Sequence, residues 1–163
     1  MRRTQGISVD QKQAVAKSRI AAWRLISMRL RLLASWREVT SGHDESLVLM
    51  AVIAITGDRL FAQESSSEFE NMATPVPRKM LGRCNISSIA AATGLNRETA
   101  RRVVGKLIDR GILERDADRS IHFTEGRMQG KNAYMISRVQ LEEFARTANG
   151  LIRDGVLKLE AGK

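Results

Sequence analysis

The chain is poor in several residues that would point to particular chemistry or architecture. Its 163 residues include one cysteine, two histidines and two prolines, and only 4% are aromatic. The single cysteine, Cys84, cannot form an internal disulfide, which favours a reducing compartment. Two histidines and one cysteine, far apart in sequence, do not match the ligand spacing of a zinc site. The shortage of aromatic residues disfavours an all-β sandwich and favours helices.

Patterns that indicate catalysis are also absent from the sequence. It holds no Gly-rich phosphate loop, no Cys-x-x-Cys pair and no paired-carboxylate motif. His122 falls in a predicted strand, where a surface or packing role is the simpler interpretation. Because Cys84 adjoins Arg83, a redox-sensing thiol with a lowered pKa is one hypothesis and a plain small residue before a helix is the other. We therefore expect no enzyme activity, no cofactor and no metal.

Long hydrophobic runs are missing as well. The most apolar run, Leu47 to Ile55, is about half the length needed to span a bilayer. The first residues are basic and then polar, where a secretory signal would carry its apolar core. The sequence thus predicts a soluble, cytoplasmic protein without a membrane partner.

Positive charge is what the chain has in excess. It carries 27 basic and 18 acidic residues, which give a net charge of +9 and a pI near 10.6. The excess lies in residues 1–39 and 78–138, whereas residues 40–77 are acidic. Such a balance points to a polyanionic partner, nucleic acid or an acidic membrane.

Two long helices are predicted in the first 63 residues. Val9 to Val39 is free of Gly and Pro and is predicted as one helix. Its polar residues form a narrow stripe, while its apolar residues cover more of the surface than one packing face needs. This leaves three interpretations: a central core helix, a dimerisation helix, or a helix that binds an anionic membrane. A second helix, capped by Asp44 or Ser46, should run to about Gln63.

The composition changes after this second helix. From Glu64 to Arg83 the sequence contains serines, acidic residues and both prolines. Its apolar residues follow no sustained helical or strand periodicity, which predicts a mobile linker. Its basic residues Arg78, Lys79 and Arg83 would then be available to contact phosphate.

The C-terminal part of the sequence predicts one more amphipathic helix. Ser137 and Gln140 have the spacing of a capping box. Leu141 and Phe144 begin an apolar repeat that should dock on the rest of the protein. The predicted organisation is a helical dimerisation region (1–63), a linker or insertion (64–84), a DNA-binding domain (85–126) and a C-terminal helix packing on the dimerisation region (127–163).

Between linker and C-terminal helix, the sequence predicts two short helices joined by a tight break. Asn85 is placed to cap a helix over residues 86–93, and Gly94 supplies the positive φ of the break. Asn96 caps a second helix that ends near Arg110. The buried stripe of the second helix would comprise Ala100, Val103, Val104, Leu107 and Ile108.

The opposite face of this second helix is strongly basic. A solvated surface does not need this concentration of charge, whereas a helix that enters the DNA major groove does. Glu98 would accept from a cytosine amino group or support a neighbouring arginine, and Lys106 would reach the DNA backbone. Gly105 is unfavourable inside a helix, and two explanations are open: neutral sequence drift, or close approach of the helix to the sugar-phosphate backbone. The candidate DNA contacts on this helix are Arg97, Glu98, Thr99, Arg101, Arg102 and Lys106.

A strand, a loop and a second strand are predicted after the basic helix, over "ILER", "DADR" and "SIHFT". A hairpin at this position is a wing. Arg115 and Arg119 would lie on it and contact the flanking phosphates or minor groove.

The run "IAAATGLNRETARRVVGKLIDRGILERDADRSIHFTEG" resembles the winged helix-turn-helix of bacterial transcriptional regulators of the multiple-antibiotic-resistance-regulator (MarR) type. The resemblance covers about 40 of the 163 residues. It implies a homodimer with interlocking terminal helices. It also implies that Arg119 lies at the wing tip and that the groove-reading positions are Arg97, Glu98, Thr99, Arg101 and Arg102.

The sequence therefore predicts a mainly α fold, in which a winged helix-turn-helix with a small β-hairpin wing is flanked by dimerisation helices. Its predicted function is sequence-specific binding of double-stranded DNA by a homodimeric bacterial regulator. Such a regulator can also bind a small-molecule effector, whose identity the sequence does not indicate. The alternative is a winged-helix protein-interaction or replication-complex module without sequence-specific regulation.

Overall fold

The computed structural model describes residues 6–61 and 68–160, which divide into two compact units. The terminal unit consists of residues 6–35 and 136–160, and the central unit lies between residues 36 and 135. In chain order the elements are β1 (Gly6–Val9), α1 (Gln11–Ala16), α2 (Ser18–Ser35), α3 (His43–Phe61), α4 (Ile86–Thr93), α5 (Arg97–Asp109), β2 (Leu113–Arg115), β3 (Ile121–Phe123), α6 (Lys131–Arg153) and β4 (Leu157–Glu160).

The central unit contains a core formed by α3, α4, α5 and an antiparallel hairpin of β2 and β3. In the hairpin, Leu113 pairs with Phe123 and Arg115 with Ile121. The predicted mainly α fold with one small hairpin is confirmed. The largest fully buried side chains of the described chain all lie in this core: Val48, Val52, Cys84, Ile89, Val104, Leu107, Leu113 and Ile121.

Local signals determine the start of α4 and α5. Asn85 Oδ1 accepts from the Ser88 backbone N–H at 3.0 Å, and Ser88 Oγ accepts from the Asn85 N–H at 2.9 Å, so the two form a reciprocal cap. Gly94 ends α4 with φ 71°, in the left-handed region that glycine tolerates. Asn96 then accepts from the Glu98 N–H at 2.8 Å. The predicted bounds of both helices are confirmed to within a residue.

Residues 78–83 of the predicted linker are docked against other parts of the central unit. The only regular structure among residues 70–83 is a 3-10 turn, Arg78–Met80. Close to its end, the Gly82 N–H donates to Thr56 O at 2.8 Å. A Cβ at Gly82 would lie 2.6 Å from the backbone oxygen of Ile55, so only glycine fits there. Residues 64–67 of the predicted linker lie outside the described residues.

The terminal unit pairs the two ends of the described chain. β1 and β4 form an antiparallel ribbon in which Gly6 is opposite Glu160. Asp10 caps α1, and Lys17 separates α1 from α2. The predicted single helix from Val9 to Val39 is therefore wrong at its start, at Lys17 and at its end, since α2 stops at Ser35. The interruption coincides with a distant contact, since Lys17 Nζ donates to Asp154 O at 2.6 Å.

Helix α2 directs its polar stripe towards α6. Arg24 Nε donates to Asp154 Oδ2 at 2.7 Å, and Arg31 NH1 donates to Glu143 Oε2 at 3.2 Å. Within the described chain, α2 buries none of its residues. Its large exposed apolar side chains are Ile20, Trp23, Leu25, Ile26 and Leu30.

Helix α6 also differs from its prediction. It begins at Lys131, so Ser137 lies inside the helix and does not cap it. The residues that α6 buries include Glu143 and Gly150, and Gly150 is covered by the Arg24 guanidinium. Leu141 and Phe144, which were expected to dock, are exposed. Leu151, further along the same apolar repeat, is buried, so only the part of this face around Leu141 and Phe144 is left uncovered by the described residues of the terminal unit.

Among residues 6–61 and 68–160, no helix combines the length and the hydropathy needed to cross a membrane.

Candidate nucleic-acid interface

Helix α5 separates its apolar and basic residues onto two faces. Ala100, Val103, Val104 and Leu107 are buried as predicted, whereas Ile108 is only half-buried. This anchoring holds the opposite face outward. Thr99 is half-buried, and the exposed candidate contacts are Arg97, Glu98, Arg101, Arg102 and Lys106. All six candidates on α5 are thus brought together on one helix.

Glu98 forms an ion pair with Arg101 rather than standing free. Arg101 Nε donates to Glu98 Oε2 at 2.9 Å, and Arg101 NH2 donates to Glu98 Oε1 at 2.5 Å. These hydrogen bonds lower the pKa of Glu98 against the opposing effect of desolvation. Of the two roles considered for Glu98, support of a neighbouring arginine is the one that this geometry matches. The pair also restricts the orientation of the Arg101 guanidinium on the leading turn of α5.

The hairpin presents the other two candidate contacts. Arg115 ends β2 and Arg119 lies in the connecting turn, and both are exposed. Arg119 has φ 66°, a left-handed conformation that is uncommon for a residue with a side chain. Its N–H donates to Asp116 O at 2.9 Å, and the Ser120 N–H donates to Asp118 Oδ1 at 2.9 Å. The turn is therefore fixed by its own hydrogen bonds.

Acidic side chains of the hairpin are paired with the end of the predicted linker. Arg78 contacts both Glu114 and Asp116 through its guanidinium. Arg83 Nε lies 3.6 Å from Asp118 Oδ2. The expectation that Arg78 stands free for phosphate is therefore wrong in this structure. The alternation of acidic residues at 114, 116 and 118 was a signal for this contact, but the sequence does not show which cations face it.

A second ion pair, also missed from the sequence, holds the C-terminal end of α5. Glu45 on α3 is 8% exposed, and Arg110 NH1 donates to its Oε2 at 2.7 Å. The Ser41 N–H donates to the same oxygen at 2.9 Å. Burial raises the pKa of Glu45, but the hydrogen bonds from Ser41 and Arg110 outweigh it, and the net pKa is below its ordinary value. The pair fixes α5 against α3.

Cys84 is fully buried, and burial raises the pKa of its thiol. A raised pKa disfavours the reactive thiolate. The hypothesis of a redox-sensing thiol with a lowered pKa is therefore wrong, and Cys84 acts as a small core residue at the start of α4.

Comparison with known proteins gives no match to any family model, curated protein or solved structure. The functional assignment therefore depends on the residues and contacts described above.

Proposed function

We propose that the protein is a sequence-specific regulator that binds double-stranded DNA through a winged helix-turn-helix of the MarR type. In this proposal α4 and α5 are the helix-turn-helix, and the β2–β3 hairpin is the wing. Arg97, Glu98, Thr99, Arg101 and Arg102 read the major groove. Lys106, Arg115 and Arg119 hold the DNA backbone or the flanking groove. The proposed setting is the bacterial cytoplasm.

The observation that carries this proposal is the division of α5 into a buried apolar face and an exposed basic face. The tight break at Gly94 and the caps at Asn85 and Asn96 fix the first turn of α5 where groove-reading residues would lie. Arginine in such a turn can donate two hydrogen bonds to guanine O6 and N7. A net charge of +9 adds long-range attraction to the DNA phosphates.

We further propose that the protein acts as a homodimer through its terminal unit. Eleven of the large apolar side chains of this unit are exposed, whereas only Leu151 and Val156 are buried hydrophobic residues in its described part. A unit with so little buried apolar surface needs a partner to complete its core. A second copy supplies the same apolar faces, and two-fold symmetry matches a palindromic DNA site.

Selection of bound fragments from random duplex DNA, followed by binding assays at several salt concentrations, tests the function. A regulator should enrich one palindromic sequence and bind it at least about a thousandfold more tightly than random duplex at physiological salt. Salt-sensitive binding without enrichment of any sequence would show that the protein binds DNA without sequence specificity. A protein that binds no duplex would instead favour the protein-interaction alternative.

A further inference from the structure

The charges of the hairpin are sorted onto two sides. Glu114 and Arg115 are successive residues of β2, and successive side chains of a strand point to opposite faces. Asp116 follows the strand, and the guanidinium of Arg78 contacts its carboxylate and that of Glu114, which places both on one side. His122 Nε2 also lies 3.4 Å from Asp116 Oδ2. Arg115 is left exposed on the other side.

Two further contacts hold the hairpin to residues 78–84. Ile121 on β3 donates its N–H to Cys84 O at 2.8 Å. Arg83 lies beside Asp118 in the turn. The segment 78–84 therefore contacts the hairpin in its turn and at the first residue of β3, which follows the turn.

The segment 78–84 is anchored to the core of the central unit, so the backbone that carries Arg78 is held in place. Gly82, four residues after Arg78, is hydrogen-bonded to Thr56 O and packed against Ile55 O. At its far end, Cys84 is fully buried in the core. An arginine held on such a support can position the element that it contacts.

We infer that Arg78 is a positioning residue for DNA binding and not a phosphate contact. Residues 114–119 carry three carboxylates and only two arginines, so the hairpin alone would repel DNA. Arg78 neutralises Glu114 and Asp116 and keeps their side of the hairpin away from the phosphates. This inference rests on the proposed function, because it assigns the hairpin to a DNA interface.

A double-mutant cycle tests this role on the full-length chain with duplex DNA. Arg78→Ala should weaken binding by roughly tenfold, since Glu114 then loses its ion pair, Asp116 keeps only the contact with His122, and the hairpin is no longer held to residue 78. In a Glu114→Gln, Asp116→Asn background the same change should cost no more than about twofold, because the groups that need Arg78 are gone. Lys131→Ala is the control for the loss of one positive charge, since Lys131 is exposed, makes no ion pair among the described residues and lies outside the proposed interface, and it should leave affinity unchanged. A phosphate contact would instead lose affinity equally in both backgrounds, which would overturn the inference.

Hydrogen exchange of the free protein separates this inference from the proposed function. Arg78→Ala should speed amide exchange in residues 113–123 and leave α4 unchanged, and unchanged exchange in the hairpin would also overturn the positioning role. If Arg78→Ala does not fold, Arg78→Lys replaces it, because a single ammonium does not bridge two carboxylates as a guanidinium does. Arg78→Lys should show the same background dependence with a smaller loss. If the wild-type chain binds no duplex, the proposed function fails, while faster exchange would still show that Arg78 anchors the hairpin.

Discussion

The Glu98–Arg101 pair orients one arginine on the face of α5 that we propose binds DNA. Glu98 uses both oxygens on Arg101 and leaves the neighbouring Arg102 without such support. The carboxylate therefore orients one guanidinium and cancels part of its charge. Orientation favours recognition of a particular base, whereas charge alone favours any phosphate.

Replacing Glu98 by Gln should raise affinity for random duplex and reduce the preference for the selected site. We expect the ratio of specific to random affinity to fall by about tenfold, because Arg101 loses its fixed orientation while the helix gains net charge. Competition binding against random duplex measures this ratio. Asp109→Asn removes an exposed carboxylate from the other end of α5 and should leave the ratio unchanged. An undiminished ratio in Glu98→Gln would show that Glu98 does not support recognition.

Two glycines of the central unit should respond oppositely to alanine. A Cβ at Gly105 meets nothing within 4 Å, so Gly105→Ala should raise the free energy of unfolding by about 1 kcal/mol through helix propensity. Gly82→Ala should lower it by about 1–3 kcal/mol because the new Cβ overlaps the backbone of α3. Thermal or urea unfolding measures both. If Gly105→Ala is more stable but binds DNA less well, close approach to the DNA backbone explains this glycine, whereas unchanged binding indicates drift.

At the scale of elements, the Glu45–Arg110 pair couples the stability of the α3–α5 packing to pH. The folded pKa of Glu45 lies below its ordinary value of 4.5. The stability that this pair contributes is therefore complete above the unfolded pKa and is lost as pH falls through the lower folded pKa.

Glu45→Gln should lower the free energy of unfolding by about 1–2 kcal/mol at pH 7 and flatten its fall in acid. The difference from wild type should shrink as pH falls through the lowered pKa of Glu45, because Glu45 then becomes protonated in the wild-type protein as well. Urea unfolding from pH 3 to 7 gives both quantities. Glu125→Gln, at an exposed position without an ion pair in the described chain, should leave the curve unchanged. A constant difference at every pH would assign the effect to packing instead of charge.

Elements with local signals were predictable from the sequence, and those with distant partners were not. Caps and a left-handed glycine lie beside α4 and α5, so their bounds followed from residues a few positions away. The break at Lys17 accompanies a hydrogen bond to Asp154, and β1 pairs with a strand about 150 residues later. The periodicity of a short stretch of sequence cannot predict the contact with Asp154 or the pairing of β1 with β4. On α5 the exposed candidates were predictable, but the cations paired with Glu45, Glu114 and Asp116 required the three-dimensional fold.

At the scale of the whole molecule, the exposed apolar side chains of the terminal unit predict a dimer. Leu30 is 64% exposed and Phe144 is 60% exposed. Replacing either by Glu should convert a dimer into monomers or aggregates and weaken DNA binding, because each copy then places a charge in the shared core. Sedimentation velocity at micromolar concentration measures the change. Ser27→Glu, which adds the same charge at an exposed polar position of α2, is the control, and a monomeric wild-type protein would contradict the dimer.

The terminal unit also has a consequence for the order of events during synthesis. Its first strand, Gly6–Val9, is synthesised about 150 residues before the strand that pairs with it, Leu157–Glu160. The central unit is a continuous stretch of chain between the two halves of the terminal unit and can fold before β4 is made. During that interval β1 and α2 lack their partners in the second half of the unit, so the apolar side chains of α2 make the nascent protein a natural client for chaperones that bind apolar segments.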